Sequence, residues 1–197
     1  IDWRGTSDTE VFLNFIKFYG LDKALKKSSG MFSFALYDKK EKKLYLSRDR
    51  VGEKPLFYGW MGNTFWFGSS LNSLTKFTGF NKEINPNAIE YLLKHNYIKA
   101  PHSIYKNINK LIPGTYLSLS LINFEHYSKT YWSYEDECED KNNFSSQEEY
   151  VDELDSRLTK AVQRSMISDV PLGAFLSGGI DSSTIVSLMQ KSSSKPI

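Results

Sequence analysis

Apolar residues recur along the chain at two spacings, and the switches between them outline its elements. Ser7-Asp8-Thr9-Glu10 has capping-box spacing and precedes Val11, Phe12, Phe15, Ile16 and Tyr19, with Gly20 as the stop, which predicts an amphipathic helix. After a Lys-rich connection, Met31–Asp38 and Lys43–Arg48 are β-rich runs on either side of a charged tip. They predict a hairpin, and their continuous apolarity predicts burial on both faces. Pro55–Trp60 and Thr64–Ser69 bracket Met61-Gly62-Asn63 as another strand, turn and strand. Asn85-Pro86 opens a second helix running to Tyr97, with Ile89, Leu92 and Leu93 on one face. Pro113-Gly114 is a turn dipeptide, and the alternation over Thr115–Leu121 predicts a strand with one wet face.

From Asn123 to Ser146 the apolar pattern breaks up around the acidic run Tyr134–Asp140. This stretch is read as a linker, dividing the chain into 1–122, the linker 123–146, and 147–197. Ser145 and Glu148 form a further capping box, ahead of the stripe Val151, Leu154, Leu158, Ala161, Val162 and Ser165, so a long helix is expected to end near Ser168. Val170–Leu176 is a short apolar run, and beyond Ser177–Ser183 lies the stripe Ile185, Val186, Leu188 and Met189. Strand, glycine loop and helix together are the opening unit of a parallel α/β sheet. With so little of that sheet present, the last helix is expected to be exposed or loosely docked.

Composition removes several function classes. At 40% hydrophobic and 15% aromatic residues the chain is too apolar to be disordered. A net charge of +2 with no concentrated basic window argues against nucleic acid as a partner. No apolar run approaches the about 18 residues of a membrane span, and no charged-then-apolar leader opens the chain, so a soluble cytoplasmic protein with no membrane partner is expected. The single Cys138 can form no internal disulfide and has no partner for a thiolate metal site.

The chemistry concentrates in Ser177-Gly178-Gly179-Ile180-Asp181-Ser182-Ser183, between a predicted strand and a predicted helix. Backbone N–H groups at a helix start have no intrahelical partner, and adjacent glycines let the backbone approach an anion closely. Three serine hydroxyls add donors, whereas Asp181 repels bare phosphate and makes sense with Mg²⁺ between them. The loop therefore reads as a metal–polyphosphate site. It lacks the Gly-Lys-Ser/Thr ending of a Walker loop.

This segment resembles the pyrophosphatase loop (PP-loop), Ser-Gly-Gly-x-Asp-Ser, of the N-type ATP pyrophosphatases. Its lead-in, Ser168–Ser177, is similar to that of glutamine-hydrolysing asparagine synthases. Ser7–Glu10, Gly30–Asp38 and Arg48–Leu56 independently look like the later part of a class II glutamine amidotransferase domain. The resemblance implies an α+β fold, with two antiparallel sheets sandwiched between helices, followed by the start of a parallel α/β domain. It implies a carbon–nitrogen ligase of asparagine biosynthesis that hydrolyses glutamine, activates aspartate as its adenylate with Mg²⁺ and ATP, releases pyrophosphate, and forms an amide with the freed ammonia. Leu176, Ser177, Gly178, Gly179, Ile180, Asp181, Ser182 and Ser183 map to ATP binding, with Asp181 as the Mg²⁺ ligand. Asp8 matches the aspartate that pairs with the α-ammonium of glutamine; helix capping is its alternative reading. A homodimer is a candidate assembly.

No catalytic residue is assigned. The family's N-terminal cysteine nucleophile, the arginine that holds the glutamine carboxylate and the Asn-Gly-Glu loop are expected upstream of Ile1, and the rest of the synthetase site downstream of Ile197. The chain is then expected to be an internal fragment across a domain junction, inactive by itself. Another carboxylate acceptor such as a sugar uronic acid, a β-lactam synthetase-like protein and a degenerate nucleotide-binding module are the alternatives. Cys138, between Glu137 and Glu139, is a poor nucleophile, and His95, His102 and His126 lack metal-ligand spacing. Phe65-Trp66-Phe67 and Phe57-Tyr58 read as packing residues. Arg48-Asp49-Arg50 with Lys54-Pro55 reads as a tie between strand end and turn, with a polyanion site as the alternative.

Overall fold

The computed structural model describes residues 3–138 and 144–197. They form two compact units, Ile1–Cys138 and Glu139–Ile197. The first contains helices α1 (Asp8–Tyr19) and α2 (Leu21–Lys27), then strands β1 (Ser33–Asp38), β2 (Lys43–Arg48), β3 (Phe57–Met61) and β4 (Thr64–Gly68). Helices α3 (Leu71–Leu74) and α4 (Pro86–His95) follow, then β5 (Ile108–Lys110), β6 (Thr115–Ser120), β7 (His126–Thr130) and the short α5 (Tyr134–Glu137). The second contains α6 (Gln147–Ser165) and α7 (Ile180–Lys191).

The strands of the first unit make two antiparallel sheets, β1-β2-β6-β7 and β4-β3-β5. Because side chains alternate across a sheet, register decides which residues meet. Leu44 pairs with Leu119 and Leu46 with Leu117, placing four leucines on one face. They pack with Leu56, Leu111, Tyr58, Trp60 and Phe65 as the core between the sheets. The opposite face of the larger sheet, through Phe34, Tyr45 and Tyr116, packs on Phe12, Leu21 and Leu25 of α1 and α2. The outer face of the smaller sheet, through Phe57, Trp66 and Ile108, packs on Leu71, Leu74 and Phe80. The expected α+β architecture of two sheets between helices is what forms.

Four expectations are corrected. β6 has no wet face: Thr115 and Ser118 are buried with their apolar neighbours, because β6 is an inner strand flanked by β2 and β7. The segment 123–146, expected as linker, carries β7 and α5. β7 is exposed along its whole length and is held by backbone pairing to β6, so no apolar pattern announces it. Residues 139–143 of that segment lie outside the described residues. Val170–Leu176 enters no ladder, and Phe175 is fully exposed, because a parallel strand needs neighbours to pair with and the described residues provide none. Finally, α7 is docked on α6: Leu188 and Met189 are buried with Val162 against Leu158, Met166 and Ile197. The Lys-rich connection after α1 is itself helical, as α2, with Ala24 and Leu25 fully buried.

Burial raises the pKa of the Tyr116 and Tyr131 phenols well above the ordinary value of about 10, with nearby Asp22 and Asp49 respectively adding to the shift. The Tyr131 hydroxyl donates to the Arg48 carbonyl at 2.8 Å. A raised folded pKa means stabilisation fully present below the unfolded value and lost as pH climbs through the folded one. The first unit is therefore expected to unfold cooperatively above about pH 10, with phenolate absorbance of these two tyrosines appearing together with loss of circular dichroism. Smooth titration of all 12 tyrosines with the fold intact would contradict this.

Candidate functional sites

The first site is built around the start of α1. Ser7 is the N-cap, its Oγ accepting the Thr9 N–H at 3.2 Å. The capping oxygen is thus Ser7's, which leaves the Asp8 carboxylate free of that task. Among the described residues Asp8 Oδ1 accepts only neighbouring hydroxyls, from Ser7 at 3.4 Å and Thr9 at 3.3 Å. Glu10 turns back further than a capping box requires, accepting the N–H groups of Arg4 at 2.9 Å and Gly5 at 2.8 Å.

Asp8 lines a cleft of about 800 Å³ whose wall includes Phe12, Phe32 and Phe34 and whose polar groups include Ser28, Ser29 and Lys54. Lys54 is set by the segment Arg48–Lys54. Asp49, fully buried, accepts the N–H of Glu53 through Oδ1 and of Lys54 through Oδ2, both at 2.8 Å. Arg48 donates from Nε to the Lys54 carbonyl at 3.0 Å and from Nη1 to the Leu111 carbonyl at 2.8 Å. Burial lowers the Arg48 pKa from its ordinary value, and the Asp49 charge opposes that shift. The turn is gripped at its donors by a carboxylate and at its acceptors by a guanidinium, the tie expected from the sequence. It presents to the cleft a lysine with no carboxylate within ion-pair distance among the described residues. Lys54, Ser28 and Ser29 were legible only as turn or connection residues, since nothing local links them to Asp8.

The second site lies in the other unit. Gly178 has φ +81°, a left-handed conformation that glycine adopts without strain. Gly179 is the N-cap of α7 and supplies no side-chain cap, unlike Ser7, Asn85 and Ser146 at α1, α4 and α6. The N–H groups of the first turn therefore remain available to an external acceptor. Ser177 Oγ and Ser182 Oγ lie 2.9 Å apart, and Ser182 also donates to the Gly179 carbonyl at 3.1 Å. Asp181 stands in the first turn, and Leu176 and Ile180 are largely exposed beside it. No group of three metal-ligating side chains occurs among the described residues. One carboxylate with three hydroxyls still suits Mg²⁺, which is commonly held by one or two carboxylates together with substrate phosphates.

The unassigned residues have ordinary surroundings. His102 and His95 stack on Tyr91, with ring centroids 5.0 and 6.1 Å away, and Cys138 is exposed. Phe57, Trp66 and Phe65 pack in the two cores flanking the smaller sheet.

Residues 1–132 match the family described as glutamine amidotransferase domain. The chain belongs to the glutamine amidotransferase family. Residues 153–197 match the asparagine synthase family, so both motif sets fall within the families they resemble. A putative glutamine-hydrolysing asparagine synthetase 2 of Methanocaldococcus jannaschii is 39% identical over 94% of this chain and 35% of its own length. Glutamine-hydrolysing asparagine synthetase 1 of Bacillus subtilis is 33% identical over 94% of this chain and 28% of its own. Amidase chyE of Penicillium rubens is 31% identical over 94% and 27%. This amidotransferase chain thus spans about a third of the length of the curated relatives it matches. A solved structure of B. subtilis glutamine phosphoribosylpyrophosphate amidotransferase with ADP and GMP aligns with 97% of this chain and 39% of that one, at TM-score 0.44 and 16% identity. No helix among the described residues is long and apolar enough to cross a membrane.

Proposed function

We propose that this chain is the junction segment of a cytoplasmic, glutamine-dependent and ATP-consuming amide ligase that makes asparagine from aspartate. The observation that carries the reading is the succession, in one chain, of a glutamine amidotransferase domain and an uncapped, glycine-opened phosphate loop within an asparagine synthase match. The glutamine-binding part runs through β7, and the synthetase part opens with α6.

In the first part Asp8 pairs with the α-ammonium of glutamine, a charge-assisted contact of the correct sign, at the polar rim of a cleft with an aromatic wall. In the second, the first-turn N–H groups of α7 and the hydroxyls of Ser177, Ser182 and Ser183 hold the β- and γ-phosphates. Their fixed dipoles need no reorganisation as charge develops on the departing pyrophosphate. Leu176 lies against the nucleotide, and Asp181 holds Mg²⁺. When bound, Mg²⁺ neutralises phosphate charge. Activation converts the acceptor carboxylate to an acyl-adenylate, replacing a poor leaving oxygen with AMP, and ammonia then displaces AMP. Amide transfer to another carboxylate, such as a sugar uronic acid, is the second reading. The relatives bear on it only in that one of them is named an amidase and not an asparagine synthetase.

The two assignments separate in the full protein by choice of nitrogen donor. Asp8→Ala is expected to lower kcat/KM for glutamine about 100-fold, the loss of one charge-assisted contact, while asparagine formation from ammonia persists. Asp181→Ala is expected to abolish product formation from both donors and to weaken Mg·ATP binding. If the unmodified protein releases no glutamate from glutamine, or if Asp181→Ala binds and turns over Mg·ATP normally, the corresponding half of the reading is wrong.

A further inference from the structure

We infer that Glu10 is a positioning residue for glutamine: it acts through the backbone ahead of α1 to hold Asp8 at the rim of the cleft. The inference rests on the assignment of that cleft to glutamine. Its starting point is a set of contacts that helix capping does not require. A capping-box glutamate returns to the N-cap N–H. Glu10 instead reaches past Ser7 and engages each carboxylate oxygen separately, Oε1 with the Arg4 N–H at 2.9 Å and Oε2 with the Gly5 N–H at 2.8 Å. Two successive backbone donors are thus clamped by one charged acceptor, the strong class of hydrogen bond.

The consequence is geometric. The Ser7 carbonyl accepts the Glu10 N–H at 3.1 Å and its hydroxyl accepts the Thr9 N–H at 3.2 Å, so the motif is tied within the helix. Glu10 supplies the tie between that first turn and the incoming chain. Asp8 stands between the two anchors and carries no tertiary hydrogen bond among the described residues, only the hydroxyls of Ser7 and Thr9. Its carboxylate therefore points where the backbone of this one turn points. Without Glu10 the segment 3–6 loses its attachment and the first turn of α1 frays, so Asp8 samples positions away from the cleft. Glu10 is half-buried and belongs to none of the hydrophobic cores, so the leading effect is on ligand placement rather than on the core. Misplacement by about 1 Å is enough to cost on the order of 100-fold in a positioned reaction, so a looser carboxylate should cost about tenfold.

The test uses the full protein with glutamine and with ammonia as separate nitrogen donors. Glu10→Ala is expected to raise KM for glutamine about tenfold with kcat for glutamine hydrolysis nearly unchanged, and to leave ammonia-driven synthesis at the unmodified rate. Glu10→Gln keeps one acceptor oxygen and is expected to restore KM to within about threefold, the partial rescue that a positioning role predicts. Unchanged KM in Glu10→Ala overturns the inference, and so does a parallel fall of ammonia-driven synthesis, which would mark a general loss of structure. Should the alanine variant fail to fold, Glu10→Asp, one methylene too short to reach the N–H groups of Arg4 and Gly5 from the same turn, carries the decision instead: a KM raised about tenfold supports the inference and an unchanged KM overturns it. A protein that hydrolyses glutamine but ignores Glu10 defeats this inference alone, whereas one that hydrolyses no glutamine defeats the reading of the cleft.

Discussion

Asp49→Ala is expected to destabilise the first unit by about 3 to 5 kcal/mol, because it leaves two backbone donors without the buried carboxylate that accepts them, and hydrogen bonds to a charged group are the stronger class. The side chain is fully buried and accepts the N–H groups of Glu53 and Lys54 at 2.8 Å. Its backbone is equally committed: its N–H donates to the Phe32 carbonyl at 2.9 Å, and its own carbonyl accepts the Gly114 N–H at 2.9 Å. Removing the carboxylate frees the donors of the turn that carries Lys54 and leaves the Arg48 guanidinium to hold that turn through the carbonyls of Lys54 and Gly52. All four tryptophans, at positions 3, 60, 66 and 132, belong to this unit, so their fluorescence reports its unfolding without interference from the other. With a urea slope of about 2 kcal/mol/M, the midpoint should fall by roughly 1.5 to 2.5 M. Asp49→Asn, which keeps one acceptor and turns an N–H₂ toward a backbone donor, should fall between the two. A midpoint shift in the alanine variant equivalent to less than about 1 kcal/mol, the worth of one ordinary hydrogen bond, would mean that the clamp is dispensable.

Gly59→Ala should be at least as damaging, for a steric reason. Gly59 sits in β3 opposite Ile108 of β5 and Trp66 of β4. A Cβ there would lie 1.8 Å from the carbonyl oxygen of Asn107, well inside any allowed contact, and the obstacle is backbone rather than a side chain that could swing away. The sheet must open between β3 and β5 to accept one methyl group, which disturbs the packing of Phe57, Trp66 and Ile108 below it. The expected loss exceeds about 3 kcal/mol, comparable with severe overpacking of a core, and is read by the same fluorescence transition. Gly62 is the control. It has φ +58° and nothing within 4 Å of a built Cβ, so Gly62→Ala carries only the strain of a left-handed turn residue, about 1 to 2 kcal/mol. Equal losses at the two glycines would show that the close approach at Gly59 is relaxed in solution.

These two positions illustrate what a local reading can and cannot reach. Gly59 lies inside a run of strand-forming residues, and nothing in that run says that a neighbouring carbonyl comes within reach of its Cα hydrogens. Asp49, in Arg48-Asp49-Arg50, reads as part of a charged turn, and the tie between strand end and turn is legible from the pattern. Its complete burial is not, because burial depends on Phe32 and Gly114, which are distant in sequence.

The sequence by itself determined the elements whose signals are local: α1 and α4 with their capping residues Ser7 and Asn85, both early hairpins, the Ser177–Ser183 loop with its glycines and serines, and α6, although its capping box lies one residue later than the spacing predicts, at Ser146 and Glu149 rather than Ser145 and Glu148. It also determined the family, since both motif sets are contiguous runs. Only the tertiary structure decided that β6 is buried on both faces and that the exposed β7 completes its sheet. The same holds for Asp8 sharing a cleft with Lys54 and for Leu188 and Met189 being buried on α6. It also decided that Val170–Leu176, apolar enough for a strand, pairs with nothing among the described residues. The physical reason is common to all of these: hydrophobic periodicity and turn chemistry act over a few neighbouring residues, whereas burial, strand pairing and the convergence of charges depend on which distant segments the fold brings into contact.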